Sequence, residues 1–350
     1  MAEPTQVLDT EQYYAHLEAL NVAPFWRLPD AVVRPFQPRP PCVPYVWRWR
    51  ELYPELLRAV QVADLATGAD RRVLTLVNPA LRPRAGATHT LTASLQLLMP
   101  GEVAPAHRHT MAALRFIIAG EGGYTVVEGE KVRMGVGDLI LTPSWTWHDH
   151  GHEGSQDPVV WLDGLDVPFV QALAATFYQD YPGRQPQRQH KRVEDSSYRY
   201  GAGTVVAAKD RPATRHSPLN LYRWQQAYDA LCRLREVAEA DAHDGYLVEY
   251  VHPLTGGHVL PTIACYLQAL PAGTHTRAHR HTASTVHFVV RGAGYTVVEG
   301  HKYAWEARDI MAIPPWMWHE HVADAAEDAI LFVMSDLPVL EPFGLYREEA

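Results

Sequence analysis

Residues 105–129 read PAHRHTMAALRFIIAGEGGYTVVEG, and residues 277–300 read RAHRHTASTVHFVVRGAGYTVVEG. Each copy sets two histidines one residue apart, then an apolar run, then a glycine-rich turn. Strand side chains alternate between the two faces of a sheet. On an unbroken strand His107, His109 and Arg115 therefore share one face, while Leu114, Phe116 and Ile118 take the other. Downstream, PSWTWHDH sets His148 and His150 on a common face in the same way. In the second copy His279, His281, His319 and His321 stand in register with these four. The offset is 172 residues before the glycine-rich turn (107 to 279) and 171 after it (148 to 319).

The register describes a duplication of about a hundred residues, with too few copies for a stacked repeat array, so each copy must close its own core. Within the first copy RRVLTLVNP, HTLTASLQLLMPG, ALRFIIAG, GYTVVEG and DLILTP are strand-length runs separated by turn residues. That texture predicts a mainly β fold, a sandwich or barrel in each copy. Helical texture surrounds it. DTEQYYAHLEAL begins with an aspartate able to cap a helix, and RWRELYPELLRAVQVA carries Pro54, which should start or kink one. PFVQALAATFY and YRWQQAYDALCRLREVAEA are also expected to be helical, the latter as an amphipathic helix. LPDAVVRPFQPRPPCVPY is too proline-rich for regular structure, and the polar, Pro/Gly-rich stretch 182–219 is the candidate linker. The expected organisation is a helical arm over 1–70, a first barrel over 71–180, a linker with a helix over 181–240, and a second barrel over 241–350.

Composition narrows the function. A net charge of −9 over 350 residues disfavours nucleic acid and anionic membrane surfaces as partners. No apolar run approaches the ~18 residues that span a bilayer. The opening MAEPTQVLDT has neither the basic nor the apolar region of a signal peptide. Cys42, Cys232 and Cys265 are scattered, odd in number and free of any CxxC, so they read as reduced thiols of a cytoplasmic protein. Histidine is the outlier. There are 19, and twelve fall within 101–152 and 273–322.

A lone HxH is weak evidence, because a pair of histidines on a strand is often a surface or core feature. Here the pair follows a glycine, and a third histidine follows Gly137-x5-Pro143. The whole set then recurs. Three neutral imidazoles on a barrel wall form a metal site that leaves up to three adjacent positions for substrate and dioxygen. Trp145 and Trp147, opposite His148, read as packing residues.

GEVAPAHRH followed by GDLILTPSWTWHDHG resembles the two cupin motifs. More narrowly, PGEVAPAHRHTMAALRFIIAGEG with TPSWTWHDHG resembles the gentisate 1,2-dioxygenase branch, which also includes salicylate and 1-hydroxy-2-naphthoate dioxygenases. The resemblance runs over nearly the whole chain. It implies a bicupin: two jelly-roll, double-stranded β-helix barrels with an N-terminal helical arm and a helical linker. The general cupin motif carries a glutamate at the position of Ala113. Its loss fits the three-histidine branch and disfavours oxalate-degrading bicupins, and with them a metal-dependent decarboxylase or isomerase.

What the resemblance implies is an Fe(II) enzyme that uses O2 to open an aromatic ring between the carboxyl-bearing and the adjacent hydroxyl-bearing carbon. Gentisate would give maleylpyruvate. Salicylate, a 5-substituted salicylate or 1-hydroxy-2-naphthoate is the alternative substrate, and a non-catalytic cupin binding a small aromatic acid is the alternative class. His107, His109 and His148 would hold iron, and Arg115 would pair with the substrate carboxylate. An ion pair with a barrel carboxylate is the competing role for Arg115. His150 would contact the substrate hydroxyl or oxygen and handle its proton, or stand at the rim. Gln96 and Asp163 match family positions near the pocket, with Asp163 able to orient His150 or a ligand imidazole. Arg82 and Arg84 are candidates for a second anion contact, and Met111 for a less polar pocket wall. His279, His281 and His319 form a tentative second metal site, although His287 replaces the arginine there. The resemblance also implies a homo-oligomer, a tetramer, with the arm exchanged or packed against a neighbour.

Overall fold

The structure, a computed structural model, describes residues 9–63, 71–154, 156–209 and 211–350. The chain divides into two compact units, Met1–Arg39 and Pro40–Ala350. The first holds the helix Thr10–Ala19 and two short turns of helix, Phe25–Arg27 and Asp30–Val33. Asp9 stands at the N-cap of Thr10–Ala19 but its side chain makes no capping bond.

The second unit contains both barrels. In the first barrel a six-stranded sheet runs in the order Leu221–Tyr222, Leu139–Thr142, Ala113–Ala119, Val159–Leu165, Thr92–Leu98, Arg72–Thr75. It faces a five-stranded sheet ordered Tyr178–Asp180, Val103–His109, His148–His152, Gly123–Val127, Glu130–Arg133. The second barrel repeats the large sheet as Tyr45–Trp47, Ile310–Ile313, Thr285–Arg291, Ala329–Ser335, Ala264–Leu270, Tyr246–Glu249. Its smaller sheet comprises His301–Glu306, Ala293–Val298 and His319–Ala323, with Arg280–His281 pairing Glu348–Glu349 beside it.

The outermost strand of each large sheet comes from the other repeat. Tyr45–Trp47, which leads into the first barrel, pairs with Ile310–Ile313 of the second, and Leu221–Tyr222 pairs with Leu139–Thr142 of the first. The helices that follow, Trp49–Val62 and Trp224–Val237, begin on an arginine that offers no cap of its own. The opposite barrel supplies it. Asp309 accepts from the Trp49 amide at 2.9 Å and from Arg48 Nη1 at 2.8 Å. Asp138 accepts from the Trp224 amide at 2.9 Å and from Arg223 Nη1 at 2.6 Å. A carboxylate at a helix N-terminus satisfies amides that have no partner within the helix and meets the positive end of its dipole. Trp224 also seats its ring where a Cβ on Gly137 (φ +83°) would stand, 2.7 Å away, so that turn needs glycine twice over.

The large sheets pack face to face. Leu114, Phe116 and Ile118 leave the first barrel to join a core shared with Phe288, Phe332 and Met334 of the second. Phe116 stacks on Phe332 at 4.3 Å between ring centroids. Residues on the other face of the same strand, such as Ile117, pack inside the first barrel. Both faces are therefore buried, which is why the strand is almost wholly apolar. Gly164 lies at this contact, where a Cβ would meet Met334 Sδ at 2.4 Å. Two aspartates fasten the seam. Asp166 accepts from the Ala112 amide and from Thr262 across the seam, and Asp336 from the Ser284 amide and from Thr90.

Other expectations need correction. The helix expected over PFVQALAATFY is confined to Val167–Ala172, and the end of that stretch enters the strand Tyr178–Asp180 beside the histidine pair. Of the two roles open to Pro54, starting its helix is excluded, because it lies inside Trp49–Val62. The stretch 182–219, the candidate linker, packs on the first barrel: Gln187 bonds Gly129, Val126 and Asp149, while Ser196 and the adjoining Asn220 bond Glu130. These contacts hold it against the first barrel.

Candidate active site

His107 and His109 end the strand Val103–His109, and His148 begins His148–His152, the strand beside it. One nitrogen from each of the three lies within 4.8 Å of the other two. Nδ1 of His109 donates to Met111 O at 2.8 Å, and Nδ1 of His148 donates to Thr146 O at 3.0 Å. Their Nε2 atoms therefore carry lone pairs, and that of His148 is buried with no partner. Burial, with nearby Arg71, holds His107 down to about 2, and burial holds His109 down to about 4. Burial and His107 hold His148 well below its ordinary value. All three are thus neutral donors near pH 7. Such a nitrogen set suits iron, zinc, copper or nickel.

The three line a cavity of about 220 Å³ together with Arg71, Thr92, Ser94, Gln96, Arg115 and Asp163. Arg115 reaches it by a different route from the one the alternation suggested. The chain bends at Thr110–Ala112, and Arg115 belongs to Ala113–Ala119 in the opposing sheet. It is 4% exposed, donates from Nη1 to Thr142 Oγ1 at 2.7 Å, and holds Nε 3.3 Å from Asp163 Oδ1. Burial pulls the guanidinium down to about 10, so it stays cationic at neutral pH, and burial pushes Asp163 up to about 6 despite that neighbour. Asp163 also accepts from Trp161 Nε1 at 2.9 Å, and its ion pair runs to Arg115 rather than to His150 or a ligand imidazole.

His150 is fully buried next to His148, with 5.8 Å between the ring centroids. Its Nδ1 bonds with Thr125 Oγ1 at 2.9 Å and its Nε2 has no partner. Gln96 Nε2 and Thr92 Oγ1 are likewise buried and unpartnered. A buried polar atom without a partner is uncommon and points to a ligand or water.

Arg71 is the residue the sequence did not single out. It donates from Nη2 to Pro105 O at 3.0 Å, and the same nitrogen abuts Nδ1 of His107. The neighbouring Tyr178 and Asp180 come from the strand that begins at the last residue of the expected helix. Arg82 and Arg84 are instead exposed. Met111, at the bend, does not line the cavity. Trp145 and Trp147 do pack as expected: Arg108 lies over both rings, at 4.4 and 4.5 Å, and Tyr181 abuts Trp147.

The second triad has the same tethers. His281 donates to Ala283 O and His319 to Met317 O, each at 2.9 Å, and the three ligand nitrogens again lie within 4.8 Å of one another.

Residues 94–165 and 266–335 each match the family model described as a cupin domain. The chain is similar to a 5-aminosalicylate 1,2-dioxygenase of Comamonas sp., 38% identical over 98% of this chain and 90% of that one. A gentisate 1,2-dioxygenase of Aquipseudomonas alcaligenes is 37% identical, over 99% of this chain and 98% of the relative. The crystal structure of a salicylate 1,2-dioxygenase from Pseudaminobacter salicylatoxidans superposes with a TM-score of 0.90 at 32% identity, over 99% of both chains. The chain therefore belongs to the bicupin family of aromatic ring-cleaving dioxygenases that contains the gentisate and salicylate 1,2-dioxygenases.

Proposed function

We propose that this protein opens the ring of gentisate between the carboxyl-bearing carbon and the adjacent hydroxyl-bearing carbon, consuming O2 and yielding maleylpyruvate. The observation that carries the proposal is the convergence of three neutral imidazoles and two arginines, Arg71 and Arg115, on one cavity. His107, His109 and His148 would hold Fe(II). Bound there, ferrous iron would supply the redox chemistry with dioxygen that neutral amino-acid side chains lack.

The remaining steps belong to side chains. Arg115, fixed by Thr142 and Asp163, presents a cation to the substrate carboxylate, and Arg71 adds a second. His150, fixed at Nδ1 by Thr125, offers its unpartnered Nε2 to the phenolic oxygen and exchanges the proton there. Thr92 Oγ1 and Gln96 Nε2 would be satisfied by a polar ring substituent. That favours gentisate, or 5-aminosalicylate as the second reading, over unsubstituted salicylate. Relatives named for each of the first two support both.

The exposed Trp26 and Phe36 of the arm support a homo-oligomer in which this unit meets another copy, and the family resemblance implies four subunits. Sedimentation velocity reads the subunit number. The three unpaired cysteines support a cytoplasmic location. The function is tested by loading the protein with iron without oxygen, then measuring oxygen uptake with gentisate, 5-aminosalicylate and salicylate in turn. Uptake strongest with gentisate is expected. Tight binding of these acids without uptake would instead make the protein a sensor.

A further inference from the structure

The two barrels carry the same three ligands but opposite surroundings. In the second, His287 stands in the register position of Arg115, and its cross-strand partner is Val333 where Arg115 has Asp163. Arg71 lies two residues before Val73, the strand partner of Gln96. The corresponding residue, two before Leu247 and its partner Gln268, is Gly245. Both arginines are therefore gone. In their place the second cavity is lined by two carboxylates, Asp244 and Glu348, and no arginine or lysine lines it among the described residues. It is also smaller, about 150 Å³ against about 220 Å³. A cavity of about 150 Å³ is on the scale that takes benzene, so a ring bearing a carboxylate and a hydroxyl fits poorly there, and its carboxylate would meet two others with no cation to offset them.

The ligand set itself is well formed. His279 Nε2 and His319 Nε2 stand 2.8 Å apart in the shared focus of the triad. His279 Nδ1 is buried and without a hydrogen bond, 3.9 Å from Glu348 Oε1. A carboxylate behind a ligating imidazole is the usual support for a metal site. Glu348 arrives on the C-terminal strand Glu348–Glu349, which Arg280 holds through Glu349.

We propose that the second barrel holds its own divalent transition-metal ion on His279, His281 and His319, in a pocket that admits no aromatic acid. Two carboxylates already balance such an ion, whereas in the first barrel two arginines outnumber the one carboxylate, Asp163. Each chain then carries two metals and one acid-binding site.

The test loads the full-length protein and its His148→Ala and His319→Ala variants with Co(II), and counts the metal by mass spectrometry. Wild type should hold two ions per chain and each variant one. Gentisate, added up to millimolar concentration, should shift the cobalt visible bands of His319→Ala and leave those of His148→Ala unchanged. One ion per wild-type chain overturns the proposal whether or not either variant folds, and so does a gentisate shift in His148→Ala. If wild type and His148→Ala hold two ions and one while gentisate shifts neither variant, the second metal stands and the acid site assigned to the first barrel falls.

Discussion

Arg115 Nε lies 3.3 Å from Asp163 Oδ1, and the two residues are direct partners across antiparallel strands. The pair is nearly free of solvent, so the carboxylate does more to aim the guanidinium than to quench it. Thr142 holds a second corner of the same fork. A cation preset in this way loses little entropy when an anionic substrate arrives.

Replacing Arg115 by alanine should lower kcat/KM for gentisate by about two orders of magnitude, the scale of a lost charge-assisted pair. Most of the loss should fall on KM. Arg115→Lys should recover only part of it, since a lysine cannot present two parallel donors. Steady-state oxygen uptake checks this, and an unchanged KM would remove Arg115 from carboxylate binding.

His150→Gln tests proton handling apart from metal binding. None of the three ligands is altered, so iron content measured on the purified variant should match wild type. Losing a positioned acid–base group should lower kcat by about 10²–10⁴. Thr125→Val, which removes the partner of Nδ1, should produce a smaller loss in the same direction. Iron missing from His150→Gln would instead make this residue a ligand.

The exchanged strands predict that stability is shared between the barrels. Arg48→Ala leaves Asp309, fully buried, without its ionic partner, and Arg223→Ala does the same to Asp138. Removing one member of a buried pair costs several kcal/mol; with each arginine partly exposed, about 2–4 kcal/mol is expected. Thermal unfolding should show a lower Tm for both variants. Losses under 0.5 kcal/mol would mean that the strand pairing alone holds the exchanged segments.

The two histidine triads and the duplication were legible because their signal is local: spacing along a strand fixes which side chains converge. The same local logic placed Leu114, Phe116 and Ile118 opposite Arg115 but could not say that a second barrel covers them. It also treated 107–119 as one strand, whereas the bend at Thr110–Ala112 moves Arg115 to the facing sheet. Arg71 escaped notice because its role depends on Tyr178 and Asp180, a hundred residues later, whose short strand starts at the end of a helical-looking run. Leu221–Tyr222 is too short to announce which sheet it joins. Long-range pairing of this kind leaves no periodicity to detect.

His258 gives the fold a pH dependence remote from the first cavity. Its Nδ1 meets Glu249 at 2.5 Å and its Nε2 meets Glu341 at 3.0 Å. The bond to Glu249, above all, raises its proton affinity from an ordinary 6.5 to about 9. The folded state thus holds the proton more tightly than the unfolded chain. The stabilisation is complete below about pH 6.5, declines as pH rises, and is gone above about 9. Solvent reaches the ring, so screening trims the contribution to about 1–2 kcal/mol. Wild-type Tm should therefore fall between pH 6.5 and 9 by more than that of His258→Gln, and the two curves should converge at the alkaline end. Parallel curves across that range would show that the imidazole is not charged between the two glutamates.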